Sequence, residues 1–311
     1  KALCCLHFLI SGVDDFDSQL KTTGHMKCKK CGKKAVANLR AYRIVLCADC
    51  YLEFYKRLVE RSIKKFKIFR EDDKILLAIS GGKDSSAMAS VLKDIGFEFE
   101  MLYIDLGIGE YSEESKEKVK RLAEMLSTKL NVVELKDYGF TIPEVRGRIC
   151  SVCGTAKRYI MNRFARENGF SVVATGHTAE DIASFYLKNI AGNQQAFAEK
   201  LLPRIESFNA KVVARARPLF EISEKENMLY AIIKGLPFKS EECPYAPKPE
   251  WKEIVYDIEL KKPGFVKNFV RGLTVGVKKS LETRYCSICG EISSGEICSF
   301  CKIRSRFSKS M

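Results

Sequence analysis

Ser80-Gly81-Gly82-Lys83-Asp84-Ser85 follows the apolar run Ile75 to Ile79 and precedes a segment compatible with a helix. A buried strand, a glycine turn and a helix N-terminus together aim free backbone N–H groups and the positive end of a helix dipole at one point, where a phosphate binds. Gly81 and Gly82 let the backbone approach an anion closely, Lys83 adds charge, and Ser80 and Ser85 supply hydroxyl donors. The wording has neither the Gly-Lys-Ser/Thr ending of a Walker loop nor the G-x-G-x-x-G of a dinucleotide-binding turn.

The 13 cysteines sort by spacing. Cys28-x2-Cys31 and Cys47-x2-Cys50 are separated by fifteen residues, so two knuckles can converge on one tetrahedral ion, zinc by ligand type with a rubredoxin-like iron as the alternative. Cys286-x2-Cys289 and Cys298-x2-Cys301 repeat the arrangement with eight residues between the pairs. A closed four-thiolate shell leaves no open coordination position, so these two sites are structural, with partner docking left to nearby Lys27, Lys29, Lys30, Lys33 and Lys34 and to Lys302, Arg304, Arg306 and Lys309. The third group, Cys150-x2-Cys153 with the distant Cys243, is an incomplete shell. Its spacing fits a cluster with one iron left free, a zinc that takes a fourth ligand such as His177, or redox thiols with a persulfide carrier.

The elements that must position these residues alternate. Residues 74–79, 98–104, 131–135, 171–175 and 211–214 read as strands, and 86–93, 113–126, 152–168, 179–190 and 225–234 as helices. Such alternation predicts an α/β fold, a doubly wound parallel sheet with ligands at the carboxyl ends of its strands. The glycine loop then shares a crevice with Tyr103-Ile104-Asp105 and Ala174-Thr175-Gly176-His177. Gly176 allows a nucleotide to approach, and Asp181, one turn beyond His177, is placed to hold Mg²⁺ or accept a proton, or else complements the helix dipole. His177 reads as a positioned turn residue. Lys157 lies four residues after Cys153, on the same helical face, where it can neutralise phosphate charge. Arg146, Arg148, Arg158, Arg163 and Arg166, with Tyr159, suit a polyanion. The basic run from Lys56 to Arg70 reads as an amphipathic linker helix with a solvated face.

The formal net charge is +14; residues 1–25 contribute −1, leaving +15 on the rest. That excess points to an anionic macromolecule, nucleic acid first. No apolar run approaches the ~20 residues of a membrane span, and a thiol-rich metal pattern argues against secretion and for the cytoplasm. Residues 1–25, with Cys4 and Cys5 in an apolar stretch followed by an acidic one, are expected to be an expression remnant.

The Ser-Gly-Gly-x-Asp-Ser loop resembles the PP-loop of ATP pyrophosphatases. In order along the chain follow Cys150-Ser-Val-Cys153-Gly-Thr-Ala-Lys-Arg-Tyr, Thr175-Gly176-His177 with Asp181, Glu242-Cys243-Pro244-Tyr245, Asn268-Phe269-Val270-Arg271-Gly272 and a terminal zinc pair. From Met26 to about Lys302 this resembles the TtuA-type tRNA 2-thiouridine synthetases, relatives of the cytoplasmic tRNA thiolation enzymes. The resemblance implies a PP-loop ATP pyrophosphatase domain flanked by zinc ribbons: an N-terminal finger over 26–54, a basic linker helix over 55–73, the catalytic domain over 74–262 and a C-terminal segment with a finger over 263–311. It implies a tRNA sulfurtransferase that adenylates the C2 oxygen of a tRNA uridine with ATP and Mg²⁺ and then transfers sulfur. Cys150, Cys153 and Cys243 match ligands of a [4Fe-4S] cluster, and Lys157 and Asp181 match residues needed for activity. Ala78, Ile79, Ser80 and the loop through Ser85, with Ile104 and Gly176, match nucleotide contacts. Glu180 departs from the family, where many relatives carry Asp. Two zinc ions, a homodimer, a wobble-position target and a sulfur donor (a ubiquitin-like thiocarboxylate protein, a persulfide carrier or free sulfide) complete the implied picture. The rivals are a PP-loop tRNA ligase with redox thiols and a zinc-ribbon RNA-binding scaffold.

Overall fold

The computed structural model describes residues 26–198, 200–275, 284–290, 292–293, 295–297 and 301. The expectations for residues 1–25, Cys298, Lys302, Arg304, Arg306 and Lys309 lie outside the described residues. The chain divides into two compact units at Gly272.

The first unit opens with a hairpin, β1 (Ala37–Leu39) and β2 (Ile44–Leu46), and the helix α1 (Ala48–Phe66). Buried Tyr51, Tyr55, Leu58, Val59, Ser62 and Ile63 recur at helical spacing on one face of α1. On its other face Arg57 pairs with Glu53 and Lys64 with Glu60, so the basic run is largely a salt-bridged helix surface.

The central sheet contains β3 (Ile75–Ala78), β4 (Phe99–Asp105), β5 (Leu130–Glu134), β6 (Val172–Thr175), β7 (Arg204–Ile205) and β8 (Ala214–Ala216) in the order β5-β4-β3-β6-β8-β7. All pairings are parallel except β7 with β8. Successive side chains leave opposite faces of a strand. Ile75, Leu77, Met101, Val172 and Ala174 enter one core with α1, α2 (Lys83–Asp94), α3 (Gly109–Met125) and α7 (Glu224–Lys234). Leu76, Leu102 and Val173 enter the other with α4 (Ile149–Glu167). Burial on both faces is why the strands read as unbroken apolar runs. The crossover direction changes between β3 and β6, and ligands of such sheets bind at that switch point. The remaining helices are α5 (Ala179–Ala191), α6 (Gln195–Ala198), α8 (Glu250–Lys261) and α9 (Phe265–Thr274).

Two boundaries differ usefully from the sequence expectation. Helix α2 begins at Lys83, not Ser86, so Lys83, Asp84 and Ser85 are themselves its first turn. The last parallel strand starts at Ala214 because the Asn209 side chain accepts the Lys211 N–H at 2.9 Å and holds 209–211 in a turn.

In the second unit β9 (Arg284–Tyr285) pairs antiparallel with β10 (Ile292–Ser293), and the Gly290 N–H returns to the Cys286 carbonyl at 2.9 Å.

Candidate active site

The loop after β3 is shaped for an anion. Gly81 has φ +87°, and a Cβ there would lie 3.0 Å from the Ser115 carbonyl oxygen. Gly176, after β6, is packed so closely that a Cβ would lie 3.0 Å from the Ser85 nitrogen. Both are glycine for conformation or contact, and they bring the two turns together. Gly82 caps α2 with no side-chain hydrogen bond, leaving first-turn N–H groups for a ligand. The hydroxyls of Ser80 and Ser85 lie 3.2 Å apart, and Ser85 donates to the Gly82 carbonyl at 3.0 Å, closing the loop on itself. This cradle fits the phosphates of a nucleotide. Ala78 and Ile79 lead into it; Ile79 is core, its N–H held by the Leu102 carbonyl at 2.9 Å, so only its backbone faces the site. Ile104 packs between the two apolar clusters behind the crevice.

Beside the loop is a charge network that the sequence did not reveal. Lys83 Nζ lies 2.9 Å from Asp84 and 3.3 Å from Glu224. Lys252, from α8, lies 2.7 Å from Asp181 and also pairs with Glu224. Tyr256 donates to Glu224 at 2.6 Å. Burial works against both lysines, but the surrounding carboxylates win and raise them, so both stay charged. Burial would raise Asp181, yet the Lys252 charge, with the hydrogen bonds from Lys252 and the Thr178 N–H, outweighs it and holds the group near 2. Asp84 goes the other way: burial pushes it up to about 6 against the pull of Lys83. Glu180 is raised well above its usual range by burial and by Glu224, whose N–H it accepts at 3.0 Å.

Asp181 therefore does two things at once. Its carboxylate accepts the Thr178 N–H at 3.0 Å in a capping box that starts α5, and it pairs with Lys252 across the crevice. His177 is committed to Thr175 Oγ1 at 2.8 Å and to an edge contact with Phe185, and burial lowers it, so it stays neutral as a turn residue.

A buried relay reaches the loop from the N-terminal module. Tyr55 donates to Asn227 Oδ1 at 2.5 Å, and the Asn227 amide donates to Asp84 at 2.8 Å.

The three central cysteines gather around one turn of the chain that follows the segment bound to the loop. The segment after α7 runs alongside it, with the Lys239 N–H bound to the Gly81 carbonyl at 2.8 Å. Cys243 follows four residues later, hence within about 14 Å of that bond at about 3.6 Å per residue. It opens a turn closed by the Ala246 N–H on its carbonyl at 2.8 Å, and Cys150 donates to Tyr245 in that turn at 3.0 Å. Cys153 and Cys243 pack on one apolar cluster, with Tyr111 close to both. Burial raises Cys153, with Lys157 opposing it. Lys157 also acts on His177, so its charge is felt both at the Cys153 thiol and at the β6 turn. The three cysteines offer sulfur donors, with Lys157 near Cys153 and Glu242 next to Cys243 in the chain, and an all-thiolate donor set suits iron–sulfur ligation. Among the described residues the groups tight enough for one ion are elsewhere.

Those tight groups are the terminal ones. Cys28, Cys31, Cys47 and Cys50 place their sulfurs within 4.8 Å of one another, with Cys31 and Cys47 at 3.4 Å, near the ~3.8 Å edge of a tetrahedral Zn–S₄ site. Cys286, Cys289 and Cys301 form a second group within 4.8 Å.

A PP-loop domain family matches residues 55–247. The chain is 40% identical to the tRNA-5-methyluridine(54) 2-sulfurtransferase of Pyrococcus horikoshii over 89% of this chain and 93% of that protein. It is 38% identical to the protein of the same name from Thermotoga maritima, over 91% and 98%. The U34-tRNA thiolase NcsA from Methanococcus maripaludis, solved with its [4Fe-4S] cluster, superposes with a TM-score of 0.70 at 27% identity, over 90% of this chain and 96% of that one.

Proposed function

The chain belongs to the PP-loop tRNA 2-sulfurtransferases, and from that premise we propose that it adenylates the C2 oxygen of a tRNA uridine with ATP and replaces that oxygen with sulfur. The observation that supports this reading is the physical join between its two halves: Lys239 is bound to the PP-loop, and the turn four residues later begins with Cys243 and receives the Cys150 thiol on its Tyr245 carbonyl.

ATP lies with its phosphates against the Gly81 to Ser85 backbone and the α2 N-terminus, where Lys83 remains charged. Phosphate entering here competes with Glu224 for Lys83 and with Asp181 for Lys252, so binding frees a carboxylate beside the target base. The freed Asp181 takes the proton that the uridine loses as its C2 oxygen attacks the α-phosphate and pyrophosphate leaves. Lys157 stabilises the charge that develops between the two half-sites. Adenylation makes the oxygen a leaving group, and AMP departs when sulfur attacks C2. Cys150, Cys153 and Cys243 would hold the cluster, which when bound would supply an iron suited to soft, anionic sulfur. The apolar cluster around Cys153 and Cys243 limits water.

Mg²⁺ accompanies ATP at Asp84 or Asp181, and zinc fills both terminal modules. The domain limits 26–54, 55–73, 74–262 and 263–311 follow the same reading. We place the target at the T-loop uridine 54 rather than the wobble position, because relatives named for position 54 are 38–40% identical and the U34 thiolase is 27% identical. Exposed Phe185, Ile190 and Phe197 on α5 and α6 support a homodimer. The thiol-rich sites support a cytoplasmic protein, and among the described residues no helix is long and apolar enough to cross a membrane. A thiocarboxylate protein, a persulfide carrier and free sulfide all suit a site with a half-exposed thiol triangle.

The test is Cys243→Ala, purified without oxygen. Iron and labile sulfide should fall to background and thiolation should vanish while tRNA still binds, and nucleoside mass spectrometry of the wild-type product should find 2-thiouridine at position 54. Undiminished thiolation by iron-free variant protein would sink the cluster reading.

A further inference from the structure

Helix α4 carries Cys150, Cys153 and Lys157 along one face, and a neighbouring face forms one wall of a separate groove of about 460 Å³. Val152, Ala156 and Tyr159 line it from α4, and Leu135, Tyr138 and Phe140 line it from the 3₁₀ turn after β5 and the residues beyond. The volume is within the range of about 300–1,000 Å³ typical of small-ligand pockets, and the lining is almost wholly apolar.

Its aromatic walls are pre-set. Tyr138 and Tyr159 meet edge to face at 6.1 Å and 90°. Arg163 fixes both, donating to the Tyr159 hydroxyl at 3.2 Å and lying 6.0 Å from the Tyr138 ring centre. Tyr159 remains 54% exposed, which leaves most of a flat ring open on a rigid helix. Arginine predominates on and just before the helix, with Asp137 as the exposed acid of the facing 3₁₀ turn. Arg146, Arg148 and Arg158 have no acidic partner among the described residues, and Glu167 is taken up by Arg163 and Arg166.

A flat apolar slot with open tyrosine, with Arg158 and Arg163 on its lining residues and Arg146 and Arg148 just before the same helix, suits a ligand with aromatic faces strung on an anionic backbone. We infer that this groove receives an unstacked nucleobase of the tRNA, next to the uridine presented at the cysteine face of the same helix. The tyrosines stack on the base, and Arg146, Arg148 and Arg158 hold the flanking phosphates. A base held one helix face away would keep the strand splayed, so the target cannot restack while the sulfur site works on it.

This inference rests on the tRNA reading above, and the experiment separates the two. Binding of unmodified tRNA to the anaerobically purified, metal-loaded protein is titrated over a range of salt concentrations for wild type, Tyr159→Ala, Tyr159→Phe and Thr155→Trp, with ATP binding measured in parallel. Thr155 is an exposed groove residue, so tryptophan there fills the slot without removing its aromatic wall. Tyr159→Ala should weaken tRNA binding about 5- to 150-fold, the range of one base–aromatic stack. The slope of log affinity against log salt should stay unchanged, because no phosphate contact is lost. Tyr159→Phe should bind like wild type, Thr155→Trp should bind as poorly as the alanine variant, and ATP affinity should hold in all. Wild-type tRNA affinity in both Tyr159→Ala and Thr155→Trp overturns the inference. So does a fall in salt slope of about 1, which would assign Tyr159 to phosphate positioning. Defects confined to transfer from a protein-borne donor would assign the groove to a protein instead. If wild-type protein neither binds nor thiolates tRNA, the functional reading itself has failed, whatever the variants do.

Discussion

Replacing Lys252 by Met removes the cation that holds Asp181 while keeping the length of the side chain. Asp181 is drawn from an ordinary 3.8 to about 2 despite burial that acts in the opposite sense. At about 1.4 kcal/mol per unit the net displacement corresponds to roughly 2 kcal/mol, which sets the scale of the pairing: burial subtracts from it and the Thr178 N–H adds to it. Glu224 keeps Lys83 as a partner, but Asp181 is left buried beside the capping box with no lysine. The variant should melt about 4–8 °C below wild type, taking about 2–4 °C per kcal/mol for a unit of this size. Asp181→Asn in the Lys252→Met background should recover much of that loss, because the unpaired charge goes with it. The assay is a double-mutant cycle of thermal unfolding by circular dichroism under anaerobic conditions, in which the coupling should be about 2 kcal/mol. Because the folded value is depressed, this contribution is complete above the ordinary carboxylate value and fades only as pH falls through about 2. Coupling should thus be constant between about pH 6 and 8. A value under about 0.5 kcal/mol, the usual limit of additivity, or one that drifts across that interval would refute the clamp.

Three further outcomes follow from the geometry. Gly81→Ala should lose both stability, by about 1–2 kcal/mol of left-handed strain, and ATP affinity, since its Cβ would press on Ser115. Gly96→Ala, with φ +91° and open space around it, should lose stability alone, and parallel melting and ATP titration distinguish the two. Tyr55→Phe leaves the buried Asn227 oxygen without its donor and should cost about 1–3 kcal/mol in urea unfolding, with a weaker hold on Asp84 read as reduced ATP affinity. Asp84 is an acid whose folded value is raised to about 6, so the native state binds more protons than the unfolded one between 3.8 and that value, and stability falls as pH rises through this interval. Asp84→Asn should flatten that slope and weaken ATP binding; an unchanged slope in denaturant melts at stepped pH would place the titration elsewhere.

Local order in the chain was enough to identify the glycine loop, the paired cysteines and the alternation of strands and helices. Each depends on neighbours within a few residues: a glycine's freedom at positive φ, a two-residue knuckle, an apolar run followed by helical spacing. Helix α2 was expected three residues late because Lys83, Asp84 and Ser85 look like loop residues when read for apolar periodicity, although polar residues are normal in a first helical turn. The two-residue strand β7 left no signal at all, being an edge piece defined by its pairing with β8. The incomplete thiol triad was visible as three cysteines, but only the resemblance joined them to a cluster. It took the fold to bring Cys243 against a helix that begins more than ninety residues earlier.

Lys252 shows the limit most sharply. In sequence it is one lysine in Trp-Lys-Glu on an ordinary amphipathic helix, with nothing to separate it from its neighbours. Its importance comes from α8 packing on α5, which sets it 2.7 Å from an aspartate 71 residues away. Residue types and short spacings therefore determined which chemistry this chain is equipped for. Which charges face each other, which stay ionised and which thiols share a site were decided only when distant helices packed, because those energies depend on separation and burial in three dimensions and local sequence encodes neither.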